Sequence, residues 1–141
     1  MNKTIKFLVT SACLAGSGLL SVSAAPAVPK AEFQAGRRVF TQICFACHQV
    51  NGQGMAGVYP PLAKSDFLLA DHDRAIGIVM HGRQGPITVN GRHYNNVMPQ
   101  LGLSDTQIAD ALTYVLNSWG NKGGVVTPGD VSRIRNQIAA K

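Results

Sequence analysis

Cys44-Phe45-Ala46-Cys47-His48 is the stretch that most narrows what this chain can become. Two thiols three positions apart, followed at once by an imidazole, bring three reactive side chains into about one turn of chain. The 141 residues contain only three Cys, so disulfides are not the scaffold. A thioredoxin-like redox pair needs a βαβ setting, and no strand–helix–strand pattern surrounds this C-x-x-C. A zinc site needs a second Cys/His pair at matching spacing, and none follows.

The spacing has a chemical reading that uses all three groups. C-x-x-C-H is the attachment signature of c-type haem. Two thiols add across the two vinyl groups of one porphyrin and form two thioether bonds. Two intervening residues let both sulfurs reach one edge of the ring. The His directly after the second Cys then lies under the iron and ligates it through a ring nitrogen. Cys44, Cys47 and His48 are therefore the expected attachment and proximal-ligand residues.

The start of the chain fits an exported protein. Lys3 and Lys6 form a basic lead, Phe7 to Val22 is apolar and uncharged, and Val22-Ser23-Ala24 offers a small-x-small cleavage site. That is the pattern of a cleaved signal peptide over residues 1–24, which places the protein in the periplasm. Thr10, Ser11, Ser17 and Ser21 dilute the segment as a membrane span, so no stable membrane insertion is expected. Thr10-Ser11-Ala12 before Cys13 lacks the bulky apolar residue expected before a lipidated cysteine. Cleavage removes Cys13, Lys3 and Lys6, which leaves two Cys and a net charge of +4 from 11 basic and 7 acidic residues. A chain of this length makes a small core, which a bulky cofactor would help to fill.

The remainder reads as all-α with long loops. Residues 25–30, rich in Ala and Pro, form a flexible lead-in. Phe33, Gly36, Val39, Phe40 and Ile43 recur at helical spacing and predict a helix over about 31–43. Gly- and Pro-rich residues 49–65 predict an ordered loop. Asp71 and Gly82 bracket a helix over 72–81. Ile87-Thr88-Val89, Asn90-Gly91 and Arg92-His93-Tyr94 predict a small hairpin with a tight turn. Ser104-x-x-Gln107 is a capping box, followed by an apolar stripe from Ile108 to Trp119 with Gly120 as the stop. Thr127-Pro128-Gly129-Asp130 repeats the device, so the tail 120–141 is a linker and a helix over 128–138, with Val131, Ile134 and Ile138 on one side.

Over residues 31–119 the chain resembles class I single-haem bacterial c-type cytochromes. The resemblance rests on Gly36 and Phe40, spaced by four before C-x-x-C-H, and on Tyr114 and Trp119 near the last helix of that domain. It implies helices wrapped around one covalently bound haem, with terminal helices that cross at Gly36. Without such an approach, a mid-helix Gly is only a cost of about 1 kcal/mol. The resemblance also implies a distal Met ligand. The later candidates are Met55, Met80, Met98, His72, His81 and His93. Met98 stands in a loop just before Pro99 and the last domain helix, where the family places its ligand. Met55 is too close to His48 to reach the opposite face easily, Met80 suits core packing, and His72 and His81 suit the solvent face of a helix. His93 suits an exposed hairpin, with a propionate bond or a replacement ligand as its functional option. In the family a Pro carbonyl accepts the ring N–H of the proximal His. Pro60 fits by spacing, with Pro61 a neighbouring competitor. Tyr94 joins the haem-binding set, and Arg83 and Arg92 are candidate propionate partners.

The resemblance implies a one-electron carrier and not an enzyme: iron held by His and Met leaves no open position for substrate. Gly85 to Gly91, Tyr94, Tyr59-Pro60-Pro61 and the tail look like cytochromes tethered to or serving copper nitrite reductases and quinoprotein alcohol dehydrogenases. Transient redox proteins are the implied partners. The alternative class is a haem enzyme or gas-ligand sensor with a labile sixth ligand. Nucleic-acid binding has no support, because the modest positive charge is spread along an exported chain.

Overall fold

The computed structural model describes residues 27–140, so the expected signal peptide 1–24 lies outside the described residues. The order of elements is α1 (Lys30–Val39), a π-helical turn (Phe40–Cys44), α2 (Phe45–His48), α3 (Asp66–Leu69), α4 (His72–His81), β1 (Ile87–Val89), β2 (Arg92–Tyr94), α5 (Asp105–Leu116) and α6 (Pro128–Ala139). This is the helix-rich arrangement with one small hairpin that the sequence predicts.

The central contact is the crossing of α1 and α5. A Cβ on Gly36 would overlap the carbonyl of Asp110 and stand 2.7 Å from the Cβ of Tyr114. Only a residue without a side chain permits that approach. Four aromatic rings close around the crossing. Tyr114 lies 5.0 Å from Phe33 and 5.5 Å from Phe40, while Trp119 lies 5.1 Å from Phe40 and 5.7 Å from Tyr114. These separations suit tilted and edge-on packing, which adds to simple burial. Phe40 is fully buried, and Ile76, Met80, Ile108, Leu112 and Leu116 continue the core from it.

Two boundaries differ from the expectation. The first helix does not end near residue 43. It passes through a π turn, in which the Phe45 N–H reaches back five residues to the Phe40 carbonyl, and continues to His48. The last domain helix stops at Leu116, not Trp119. Trp119 has φ 53°, so the chain has already left the helix when it returns this ring to the aromatic cluster. A hydrophobic stripe reports which residues are buried, not which dihedrals bury them.

Both capping boxes form. Ser104 Oγ accepts from the Gln107 N–H at 3.2 Å while Gln107 Oε1 accepts from the Ser104 N–H at 3.0 Å. Thr127 and Asp130 make the equivalent pair at the start of α6. The tail helix packs on the domain through buried Val131 and Ile134, and Arg133 reaches Asp73 of α4 with two bonds of 2.8 and 3.0 Å. The hairpin turns on Asn90 and Gly91, both at positive φ (48° and 75°), as a type I′ turn requires. It is tied to α3 by reciprocal bonds: Asp66 N–H to Asn90 Oδ1 at 3.0 Å and Asn90 N–H to Asp66 Oδ1 at 2.8 Å. α3 itself has no sequence forecast; Ser65, almost fully buried, caps it by accepting from the Leu68 N–H.

Candidate functional site

One cleft collects the six residues of the expected haem-binding set. Cys44, Cys47, His48, Pro60, Tyr94 and Met98 all line it. The empty space, counting its open mouth, is about 1210 Å³. α4 contributes Ile78 and Val79, β1 contributes Ile87 and Val89, and α5 contributes Ala111, Leu112 and Val115. The walls are thus apolar, with the reactive groups set into them.

The π turn positions the thiols. Inserting one residue into a helix rotates everything after it, and such turns recur at functional sites. Here the inserted turn ends on Cys44 and delivers Cys47 and His48 to the cleft on the following helical turn. Both cysteines are free thiols and half-buried. Burial, and then the neighbouring Cys47, push the Cys44 thiol up to about 11. Such surroundings disfavour the Cys44 thiolate that disulfide exchange would need. Among the described residues, no group of three or more His, Cys, Asp or Glu side chains is placed to hold a metal ion.

His48 is oriented by the loop that follows it. Its Nδ1 lies 3.0 Å from the carbonyl oxygen of Pro60. A carbonyl can only accept, so Nδ1 carries the proton and Nε2 is left as the electron-pair donor. Of the two candidate prolines, Pro60 makes this contact. Burial lowers the pKa of His48, and the Pro60 bond opposes that shift in part. Burial thus favours the neutral imidazole, the form that can ligate.

Met98 approaches from the other end of the chain. It forms an antiparallel bridge with Arg83: the Arg83 N–H donates to the Met98 carbonyl at 2.8 Å, and the Met98 N–H donates to the Arg83 carbonyl at 2.9 Å. Gly82 makes the bridge possible. Its φ is 75°, and a Cβ there would overlap the Met98 carbonyl and meet the Gln100 nitrogen at 2.8 Å.

The other ligand candidates are elsewhere. Met55 is 49% exposed and Met80 is 4% exposed in the core. His81 is exposed, His72 is half-buried on α4, and neither lines the cleft. His93 is exposed, with Nδ1 3.0 Å from Thr88 Oγ1 across the hairpin. Among the described residues, Met98 is the one member of the six candidates that reaches the cleft. Arg92 is exposed on β2 and does not line it, whereas Arg83 does. Sequence reasoning missed Arg74 and Phe67, which also line it. The available signal for Arg74 was its spacing of four from Ile78, which puts a cation on the inward face of α4.

A helical fold with paired thiols, an oriented imidazole and a thioether in one apolar cleft defines a domain for covalently bound haem. The donor set matches the attachment and ligation chemistry of that group. Comparison with known proteins agrees: the family model described as Cytochrome c matches residues 33–119. The chain belongs to the cytochrome c family, whose members carry covalently attached haem c. It is 38% identical over 91 residues to a cytochrome c-552 of Thermus thermophilus, covering 61% of this chain and 69% of the relative. It is 32% identical over 105 residues to the cytochrome c subunit of a quinone alcohol dehydrogenase of Gluconacetobacter polyoxogenes. It is 33% identical over 107 residues to the cytochrome c subunit of a gluconate 2-dehydrogenase of Pantoea cypripedii. Those two alignments cover 72% of this chain but only 22% and 24% of the subunits.

Proposed function

We propose that this chain is an exported, periplasmic one-electron carrier. Cys44 and Cys47 would hold a single haem c through two thioethers, and His48 and Met98 would be the protein's ligands to its iron. The observation that carries the reading is the convergence of these four side chains on one apolar cleft, with the His48 ring already oriented by Pro60. When bound, haem c supplies reversible exchange between Fe(III) and Fe(II). The chain's own part is to fix the ligands and exclude water. Pro60 holds the His48 ring in one tautomer and raises its basicity. The bridge to Arg83 holds the Met98 segment in register. Apolar side chains from α4, β1 and α5, with buried Tyr94, keep the surroundings dry and unchanged as the charge alternates.

With both iron ligands supplied by the chain, no position would be left for a substrate or gas, which favours a carrier over an enzyme or gas sensor. No described helix is long and apolar enough to cross a membrane. The dehydrogenase-subunit relatives favour a partner that oxidises alcohols or sugar acids. The resemblance to cytochromes that serve copper nitrite reductases offers the other end of such a route. Contact with either is brief and small.

Absorption spectra of the oxidised and reduced holoprotein, with and without CO, test the reading. A low-spin spectrum with an Fe(III)–thioether band and no CO uptake is expected. A high-spin spectrum or ready CO binding would overturn the His/Met assignment and return the protein to the enzyme or sensor class.

A further inference from the structure

The segment after α5 reads in sequence as a Gly-rich linker, yet it contains a buried amide. Asn121 is 5% exposed. Its Oδ1 accepts from the Lys64 N–H at 2.7 Å. Its Nδ2 donates to the carbonyls of Leu62 at 3.0 Å and Val115 at 2.8 Å. Both amide hydrogens thus have an acceptor and the oxygen has a donor. Two of these bonds reach back 57 and 59 positions along the chain. Asn121 lies beyond the residues matched to the family, which end at 119.

The loop that Asn121 grips carries Pro60. The Gly52 carbonyl accepts from the Leu62 and Ala63 N–H groups at 2.7 and 2.9 Å, which closes residues 52–63 into one loop. Residues 119–121 hold both of its feet. The Trp119 ring lies against Gly52, where a Cβ would come within 2.6 Å of it, and Asn121 holds the foot at 62–64. Inside the loop, the Gly54 N–H donates to the His48 carbonyl at 2.9 Å. A Cβ on Gly54 would stand 2.6 Å from the Pro60 oxygen. That oxygen is the one that accepts from His48 Nδ1. Its position is therefore set between Gly54 on one side and the clamped feet of the loop on the other.

We infer that Asn121 is a positioning residue for the proximal ligand: by clamping residues 62–64 to the end of α5, it holds the Pro60 carbonyl on His48 Nδ1 and so helps to set the reduction potential. The inference rests on the reading of the cleft as the haem site, with His48 a ligand. The physical link is the strength of one hydrogen bond. A carbonyl drawn onto the Nδ1–H makes the imidazole a stronger donor through Nε2. A stronger donor favours Fe(III) and lowers the potential. A carbonyl allowed to drift does the reverse. A buried, fully bonded amide resists that drift, because displacement leaves polar groups unpaired. The segment after α5 thereby takes a part in the electron chemistry, besides joining α6 to the domain.

The test uses holoprotein with Asn121→Ala, and with Gly54→Ala, whose methyl group pushes on the Pro60 oxygen directly. Midpoint potential is measured alongside the NMR chemical shift of the His48 Nδ1 proton in the reduced state. Both variants should raise the potential and move that proton upfield, as a longer hydrogen bond requires. The sign separates positioning from simple loosening. A loosened domain admits water, which favours the more highly charged Fe(III) and lowers the potential. A fall in potential for Asn121→Ala would therefore overturn the inference. Readings that move in Gly54→Ala but stay at the wild-type values in Asn121→Ala would overturn it too, as would readings unchanged in both variants. Each of these results leaves the haem reading standing. Wild-type protein without covalent haem would instead overturn the earlier reading. Should Asn121→Ala not accumulate as holoprotein, Asn121→Ser, which keeps a hydroxyl and loses the amide, carries the same two readings with the same meaning.

Discussion

The carbonyl of Pro60 lies 3.0 Å from Nδ1 of His48, and the loop that carries it is held from a distance by Asn121. Asn121 is buried and accepts from the Lys64 N–H at 2.7 Å, while its Nδ2 donates to the carbonyls of Leu62 and Val115 at 3.0 and 2.8 Å. One amide thus fastens residues 62–64 to the end of α5. Asn121→Ala removes these bonds and leaves buried backbone groups unpaired, at a cost of about 2–4 kcal/mol. The Nδ1 proton of His48 should then exchange with solvent faster in NMR spectra. Unaltered exchange and stability would mean that the loop holds Pro60 without Asn121.

Gly36→Ala places a methyl group against the Asp110 carbonyl and the Tyr114 Cβ. The two helices must separate or bend, which should cost about 2–4 kcal/mol. Denaturant titration measures the loss, and a change below about 1 kcal/mol would show that the crossing can yield more easily than its geometry suggests.

Met98→Ala should leave the haem attached, open the sixth position to CO, and lower the reduction potential, because the thioether favours the reduced iron. Spectroelectrochemistry reads both effects, and an unaltered spectrum and potential would require another distal ligand.

Cys47→Ala removes one of the two expected thioethers. The yield of covalently loaded protein should fall sharply or vanish in a haem-stained gel after export. Normal yield would contradict two-point attachment.

Acid should loosen the tail helix first. Arg133 lowers the pKa of Asp73, and bonds from Thr127 lower that of Asp130. A depressed carboxyl stabilises the fold above its unfolded value, about 3.9, and that contribution is lost as pH falls through the folded value. Hydrogen exchange should therefore show α6 losing protection ahead of α5 in that acidic window. Simultaneous loss in both helices would argue against separate anchoring of the tail.

Features written in short-range chemistry were legible in the sequence. The motif, both capping boxes and the Asn90-Gly91 turn are each set by a few adjacent residues, whereas the need for Gly36 followed from the family resemblance. The cleft membership of Met98, Pro60 and Tyr94 followed from family resemblance, not from any local rule. What escaped was decided by tertiary packing. The π turn at Phe40–Cys44 falls at the end of the periodic stretch, where too few residues follow for the change of phase to show. α3 has only four residues, too few for a pattern. Trp119 keeps the apolar phase of α5 after the backbone has turned away. Nothing in the neighbouring residues singles out Arg74, which only the fold sets beside Phe67.

The crossing at Gly36 joins residues 74 positions apart, counting to Asp110. The connecting segments of the cleft, from the loop after His48 to the one before α5, are thus a single span whose two ends are tied together. Doubling the length of such a span costs only about 0.6 kcal/mol in closure entropy. Descendants of this chain are therefore free to lengthen or shorten the middle and so alter what the domain meets, provided Met98 returns to its place. The tolerance for that remodelling resides in the missing side chain of one glycine, well away from the surface being remodelled.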